Sequence, residues 1–355
     1  MNHHNTYTSA ALLFYNSHNY FFIRSIIIIK YPEHTLESYE AGLIHGAGIM
    51  ECDVTFTKDR QLICRHAQCD LHTTTDVVTR PELNAKCTKP FVPGEGAKCC
   101  ASDFTLAEIK TLCAKMDSRV SNAETPEEYI GGVAGFRTTM YENECPKVPT
   151  HMESIELIKS YGAKFTPELK TPSVDMPFEG DYSQEDYAQQ LVDEYIEAGV
   201  DPSAVWPQSF LWSDAIYWVQ NTDYKQAVAL EGQYSNYYFS EGDFDAHVAD
   251  IKDAGVTYIA PPMWMLLDLD GTKMTESNYS AYSKKNGFAI ITWTLERSGP
   301  LVSGGGWYYQ TVTDVIDRDG DQFELLHALH TEVGITGIFS DWPATTTFYA
   351  NCMGL

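Results

Sequence analysis

The stretch "IIIIKYPEHTLESYEAGLIHGAGIMECDVTF", residues 26–56, carries the reading of the fold. A β-branched run precedes a segment with helical spacing over 35–45, and a second apolar run, "IMECDVTF", follows it. The alternation of a two-residue and a 3.6-residue period within one short stretch is that of a strand–helix–strand unit. In its second strand Glu51 and Asp53 stand two residues apart and share one face, with Cys52 on the other. Two inward carboxylates repel each other when buried, and a bound divalent cation removes that cost.

The same alternation continues along the chain. Further strand-like runs are "KFTPEL", "AVWPQSF", "QAVAL", "VTYIAPP", "FAIITWTL" and "GIFSDW". Helical spacing lies between them over 152–161, 184–198, 213–221, 244–254, 277–285 and 322–333. With "IIII" as the first strand, eight strands alternating with helices predict a closed parallel α/β barrel of the TIM (β/α)8 type. An open doubly wound sheet is the alternative, but no glycine-rich phosphate loop follows the first strand. The boundaries expected are an atypical N-terminal segment over 1–30 and one barrel domain over 31–350. An insertion after the second strand, about 67–150, exceeds an ordinary barrel connection and must have structure of its own, including a short helix in "TLAEIKTLCAKM".

Composition narrows the function. The chain has 24 Lys and Arg against 49 Asp and Glu, a formal charge of -25, which repels nucleic acid and anionic membrane surfaces at long range. A phosphate-bearing substrate must then be held by a local cation. Of nine cysteines, five fall within 87–145. No paired C-x-x-C unit is present and the adjacent Cys99 and Cys100 chelate poorly, so disulfides formed in an oxidising compartment are expected rather than a zinc site. The odd count leaves one thiol over, and Cys52, on a core strand, is expected to be free and buried. The apolar run in 11–31 is broken by Asn16, Ser17, His18, Asn19 and Arg24, so neither a membrane span nor a well-formed signal peptide is predicted there.

The strand ends collect polar residues, where a barrel of this type places its chemistry. Glu168 and Lys170 in "PELK" again share one face. Alone they read equally well as a strand-end salt bridge; with Glu51 and Asp53 they read as a third carboxylate and a cation directed at a substrate anion. Three carboxylates without metal-spaced histidines suit a hard ion, Ca2+ or Mg2+. His66 closes a short strand returning toward the carboxylates and could exchange a proton there; His72 is a weaker candidate. Gln208, Phe210 and Trp293 end later strands and are candidates for substrate contact, with core packing the plain alternative for the two aromatics; Asp341 ends the last.

Together "PEHTLESYEAG", "ECD", "RHAQCDLHTTTD", "PELK", "QSF", "ITWT" and "GIFSDWP", in order from Pro32 to Pro343, resemble the glycerophosphodiester phosphodiesterase family, most of all its secreted or vacuolar members from fungi and plants. The resemblance implies a barrel that hydrolyses glycerophosphodiesters to glycerol 3-phosphate and an alcohol. It implies that Glu51, Asp53 and Glu168 hold one divalent cation, Ca2+ or Mg2+. It further implies that His66 protonates the leaving alcohol and that Lys170 contacts the phosphate. The expected partner is a small-molecule glycerophosphodiester, with no nucleic acid and no stable membrane insertion, and the expected location is extracellular or vacuolar.

One family feature is missing: the His-Arg-Gly triplet that opens the first strand is replaced by "IRSIIIIKY". His18 stands outside any comparable context, and His34 belongs to the next motif. The expectation is an incorrect start or a retained intron, with a natural loss as the alternative; either leaves the chain as written impaired. A catalytically silent barrel that binds metal and phosphodiester is the second hypothesis. A glycoside hydrolase using Glu51 and Glu168 is the third, and it leaves Lys170 without a task.

Overall fold

The computed structural model describes residues 23–24, 30–142, 144–232 and 240–355. The expected first strand "IIII" lies outside the described residues, and the strand at that place in the order is Ile23–Arg24, here β1. The barrel continues through β2 (Ile49–Met50, resuming at Asp53–Phe56), β3 (Lys164–Phe165, resuming at Glu168–Leu169), β4 (Gln208–Ser209), β5 (Val228–Leu230), β6 (Tyr258–Ala260), β7 (Ala289–Leu295) and β8 (Gly337–Ser340). Each of these strands pairs in parallel with the next, and β1 lies beside β8, so the sheet curls into a barrel.

A helix follows every strand. They are α1 (Leu36–Ile44), α2 (His151–Ser160), α3 (Gln184–Glu197), α4 (Trp212–Asn221), α5 in two pieces (Glu241–His247 and Ala249–Ala254), α6 (Asn278–Lys285), α7 (Asp321–Ala328) and α8 (Pro343–Met353). Their starts carry side-chain caps that supply acceptors to otherwise orphaned backbone N–H groups: Thr35, Thr150, Ser183, Ser240 and Ser277 each accept from the third residue on. The expected helix over 244–254 is broken at Val248. The hairpin of Leu267–Asp270 with Lys273–Glu276, and α8, went unforeseen.

The insertion leaves β2 through a returning antiparallel strand, Leu62–Cys64, which pairs Val54 with Cys64. Beyond it, Leu71, Val77, Phe104, Ile109, Leu112, Tyr129 and Val148 close over a core separate from that of the barrel. Disulfides Cys69–Cys100, Cys87–Cys99 and Cys113–Cys145 tie this small core, which has little apolar area of its own. The expectation for Cys52 was wrong. It is bonded to Cys64 across the strand pair, and the free thiol is the exposed Cys352. Strand alternation turns Cys52 away from the Glu51 and Asp53 face, but only the antiparallel return of the chain brings Cys64 to it.

Candidate active site

Register explains how the site forms. Asp53 on β2 stands directly beside Glu168 on β3, and Glu168 beside Gln208 on β4, so three polar side chains make one row across neighbouring strands. Glu51, on the same face as Asp53, is reached by the Gln208 side-chain amide, whose Nε2 donates to Glu51 Oε1 at 2.9 Å. One carboxylate oxygen each from Glu51, Asp53 and Glu168 lies within 4.8 Å of the others, and all three residues are largely buried.

The donor set fits a hard divalent cation. Asp53 Oδ1 is buried without a hydrogen-bond partner. Burial pushes the Asp53 carboxyl above its ordinary value, and it pushes Glu168 up to about 7 against the opposing pull of Lys170. Carboxylates crowded this way resist ionising together, and an ion bound among them relieves both the repulsion and the orphaned oxygen.

Lys170 Nζ lies 2.6 Å from Glu168 Oε1 and 3.9 Å from Asp53 Oδ2. Burial works against its charge, but Asp53 and Glu168 outweigh that and hold its proton above the ordinary lysine range. His66 Nε2 stands 3.9 Å from Asp53 Oδ2; its side chain is packed by protein yet 43 % open through the pocket mouth. Crowding by protein, then the positive charges of Lys170 and Arg297, hold its pKa well below the usual imidazole value, so its resting form is neutral.

The remaining expected residues divide. Glu51, Asp53, His66, Glu168, Lys170, Phe210 and Trp293 line one pocket of about 600 Å³ at the C-terminal ends of the strands. Gln208 supports Glu51 from behind the lining. His72 is buried in the insertion, where its Nδ1 accepts from the Cys99 backbone, and it is not part of the pocket lining. His18 lies outside the described residues.

The pocket also holds residues that sequence reasoning missed or left without a role: Glu33, His34, Arg297, Tyr308 and Asp341. His34 is 1 % exposed and takes a left-handed φ of 52°. Burial keeps its ring neutral. Its Nε2–H donates to Asp53 Oδ2 at 3.0 Å, and its Nδ1 accepts the Tyr39 hydroxyl at 2.9 Å. Arg297, just beyond β7, faces Glu33 at 3.6 Å and Asp341 at 4.0 Å. Burial pushes Asp341 up to about 7 despite that arginine. The "PEH" motif marked Glu33 and His34 as a feature; Arg297 sits in an aperiodic loop and left no signal.

Comparisons with known proteins agree with this geometry. The model of the glycerophosphoryl diester phosphodiesterase family matches residues 29–345. A protein of Arthroderma benhamiae named "Extracellular protein" is 42 % identical over 248 residues, 68 % of this chain and 100 % of its own. Among solved structures, a Silicibacter pomeroyi protein assigned as a glycerophosphoryl diester phosphodiesterase superposes with a TM-score of 0.60 at 18 % identity, covering 94 % of this chain and 95 % of its own. A phosphodiesterase from Oleispira antarctica, solved with its product sn-glycerol-3-phosphate, gives 0.57 at 16 % identity over 93 % and 96 %. At such identities the two structures speak for the fold.

Proposed function

Because the chain belongs to the glycerophosphoryl diester phosphodiesterase family, we propose that it hydrolyses glycerophosphodiesters to glycerol 3-phosphate and an alcohol, with one divalent cation, Ca2+ or Mg2+, held by Glu51, Asp53 and Glu168. The observation that carries this reading is the convergence of those three carboxylates, the neutral His66 and the charged Lys170 on one pocket at the C-terminal ends of the strands. When bound, the ion supplies positive charge at the phosphoryl oxygens and orients the glycerol.

The chain's own residues then have distinct tasks. Lys170 and Arg297 offer the phosphate its two cations within the pocket lining. Gln208 orients Glu51. Phe210 and Trp293 wall the substrate. The neighbouring glycerol hydroxyl gives up its proton to solvent and attacks phosphorus as the bond to the alcohol breaks; water then adds across the ring bond from phosphorus to that same oxygen, which regains its proton, leaving glycerol 3-phosphate. His66 gives the leaving oxygen its proton; since its resting form is neutral, it must take that proton up first, and its opening to solvent permits this.

One observation favours the second reading, a barrel that binds without turnover. Both ring nitrogens of His34 are engaged, by Asp53 and Tyr39, so of the two imidazoles that line the pocket only His66 has a ring free to exchange protons. The assay is release of glycerol 3-phosphate from glycerophosphocholine with added Ca2+ or Mg2+, with and without chelator. The expected result is activity abolished by chelator and reduced about 10²–10⁴-fold by His66→Ala. Binding without release in any condition would make the silent reading the correct one.

The domain we assign runs over 31–350 with its insertion at about 67–150. Four disulfides and the relative named as an extracellular protein support an extracellular or vacuolar location. No helix among the described residues is long and apolar enough to cross a membrane.

A further inference from the structure

Resting on the extracellular or vacuolar location given above, which implies passage through the secretory route, we propose that Asn278 is a site of N-linked glycosylation. Asn278, Tyr279 and Ser280 make the Asn-x-Ser acceptor pattern, and no other asparagine in the chain is followed two residues on by serine or threonine. The pattern alone recurs by chance in many chains. Here the fold supplies what an acceptor needs: an amide that faces water and has no structural task, in a chain with four disulfides of the kind made in an oxidising compartment.

Asn278 is the first residue of α6 and follows closely on the second strand of the hairpin, Lys273–Glu276. Asparagine is a good helix cap, but the cap here is one residue earlier: Ser277 Oγ accepts from the Ser280 N–H at 3.2 Å. The Asn278 amide is exposed and has no hydrogen-bond partner among the described residues. Packing falls to the other side of the helix. Tyr279, Ser280 and Ser283 are its buried residues, and the Tyr279 ring meets Phe244 edge-on at 5.1 Å. Asn278 shares the outer side with Ala281 and Lys285, both exposed, so a bulky group attached there extends into solvent.

Ser280 fixes the timing. Its hydroxyl is fully buried and donates to Glu276 Oε1 at 2.6 Å. The acceptor pattern is read through that hydroxyl, which the folded chain withholds, so transfer must come before α6 forms. The donor is an oligosaccharide carried on a lipid pyrophosphate. The bond from Asn278 Nδ2 to the first sugar carbon forms as the bond from that carbon to the pyrophosphate oxygen breaks. The pyrophosphate leaves with the electron pair, and the nitrogen passes one proton to solvent and keeps the other. The amide stays uncharged, and Ser277 still caps the helix, so the modified chain folds to the same structure.

The test expresses the full chain in yeast behind a secretion leader and scores the leader-cleaved chain, which has entered the compartment, from cells and medium together. The expected result is a slower-migrating band that peptide N-glycosidase returns to the unmodified position, with Asn278 converted to heavy-oxygen aspartate when the enzyme acts in labelled water. Asn278→Gln and Ser280→Ala should each lose the shift completely. Glu276→Ala, which removes only the partner of the buried hydroxyl, should keep it, and so should Ser280→Thr. An unshifted leader-cleaved chain, or a shift that survives Asn278→Gln, overturns the site. If the leader-borne chain is modified while the chain as written stays unmodified, the location reading fails and the acceptor stands. For the timing, the unmodified protein is given to solubilised yeast microsomes with the lipid-linked donor. The reduced, unfolded chain should accept sugar and the folded, oxidised one should not; equal transfer to both overturns the order.

Discussion

Arg65 shows how a residue outside the chemistry shapes the site. It is fully buried, and its guanidinium donates to the backbone carbonyls of Glu33, His34 and Cys64. It thereby ties the turn carrying His34, with its left-handed backbone, to the strand that leads to His66. A non-glycine residue in that conformation costs on the order of 1 kcal/mol and persists only where its surroundings hold it. Removing the arginine leaves buried carbonyls without donors. Arg65→Ala should therefore lower stability by about 3 kcal/mol, read from the urea midpoint. Arg65→Lys should recover little of it, because an ammonium lacks the planar fork that reaches several carbonyls at once; full recovery by lysine would refute this account. In the sequence "RH" drew attention to the histidine alone, since nothing in a one-dimensional pattern marks an arginine whose charge is spent on backbone.

At the scale of elements, β2 and its returning strand form the frame of the carboxylate cluster, and Cys52–Cys64 locks them together. Cys52 lies between Glu51 and Asp53, so the bond anchors the backbone that aims both carboxylates. The bridged residues are 12 apart. A loop of that size contributes about 3 kcal/mol through the unfolded state. The double change Cys52→Ala, Cys64→Ala should cost about that much in denaturant unfolding and weaken Ca2+ or Mg2+ binding by calorimetry; unchanged affinity would show that the frame holds without the bond. The strands and most helices were legible because each must bury one face with a fixed period. The break in α5 at Val248 and the hairpin after β6 were not, since both depend on what packs against them.

Across the whole molecule, buried acids make stability depend on pH. Burial raises Asp70 and Asp341 to about 7 and Glu296 to about 8. Each carboxyl therefore holds its proton to higher pH in the folded chain than in the unfolded one. Their stabilising effect is complete below the unfolded values near pH 4 and is lost as pH rises through 7 to 8. The depressed histidines His34, His66 and His72 act in the opposite sense, but only below about pH 6.5, where the unfolded chain gains their protons. Above pH 6.5 the carboxyls govern. The metal-free protein should melt at a higher temperature at pH 6.5 than at pH 8, and Glu296→Gln should flatten that slope. A melting temperature that rises over the interval would contradict this account.

By itself the sequence determined the repeating strand–helix order, the oxidised cysteines of the insertion, and the side chains from Glu51 to Lys170 that converge on one pocket. These follow from local rules: alternation along a strand sets which face a side chain takes, and barrel geometry puts chemistry at strand ends. Only the tertiary structure decided that Cys52 meets Cys64, that His34 is committed to Asp53 and Tyr39, and that Arg297 and Tyr308 enter from the loop after β7. Those contacts join segments far apart in the chain, and aperiodic loops acquire their direction only when the closed sheet brings its strand ends together.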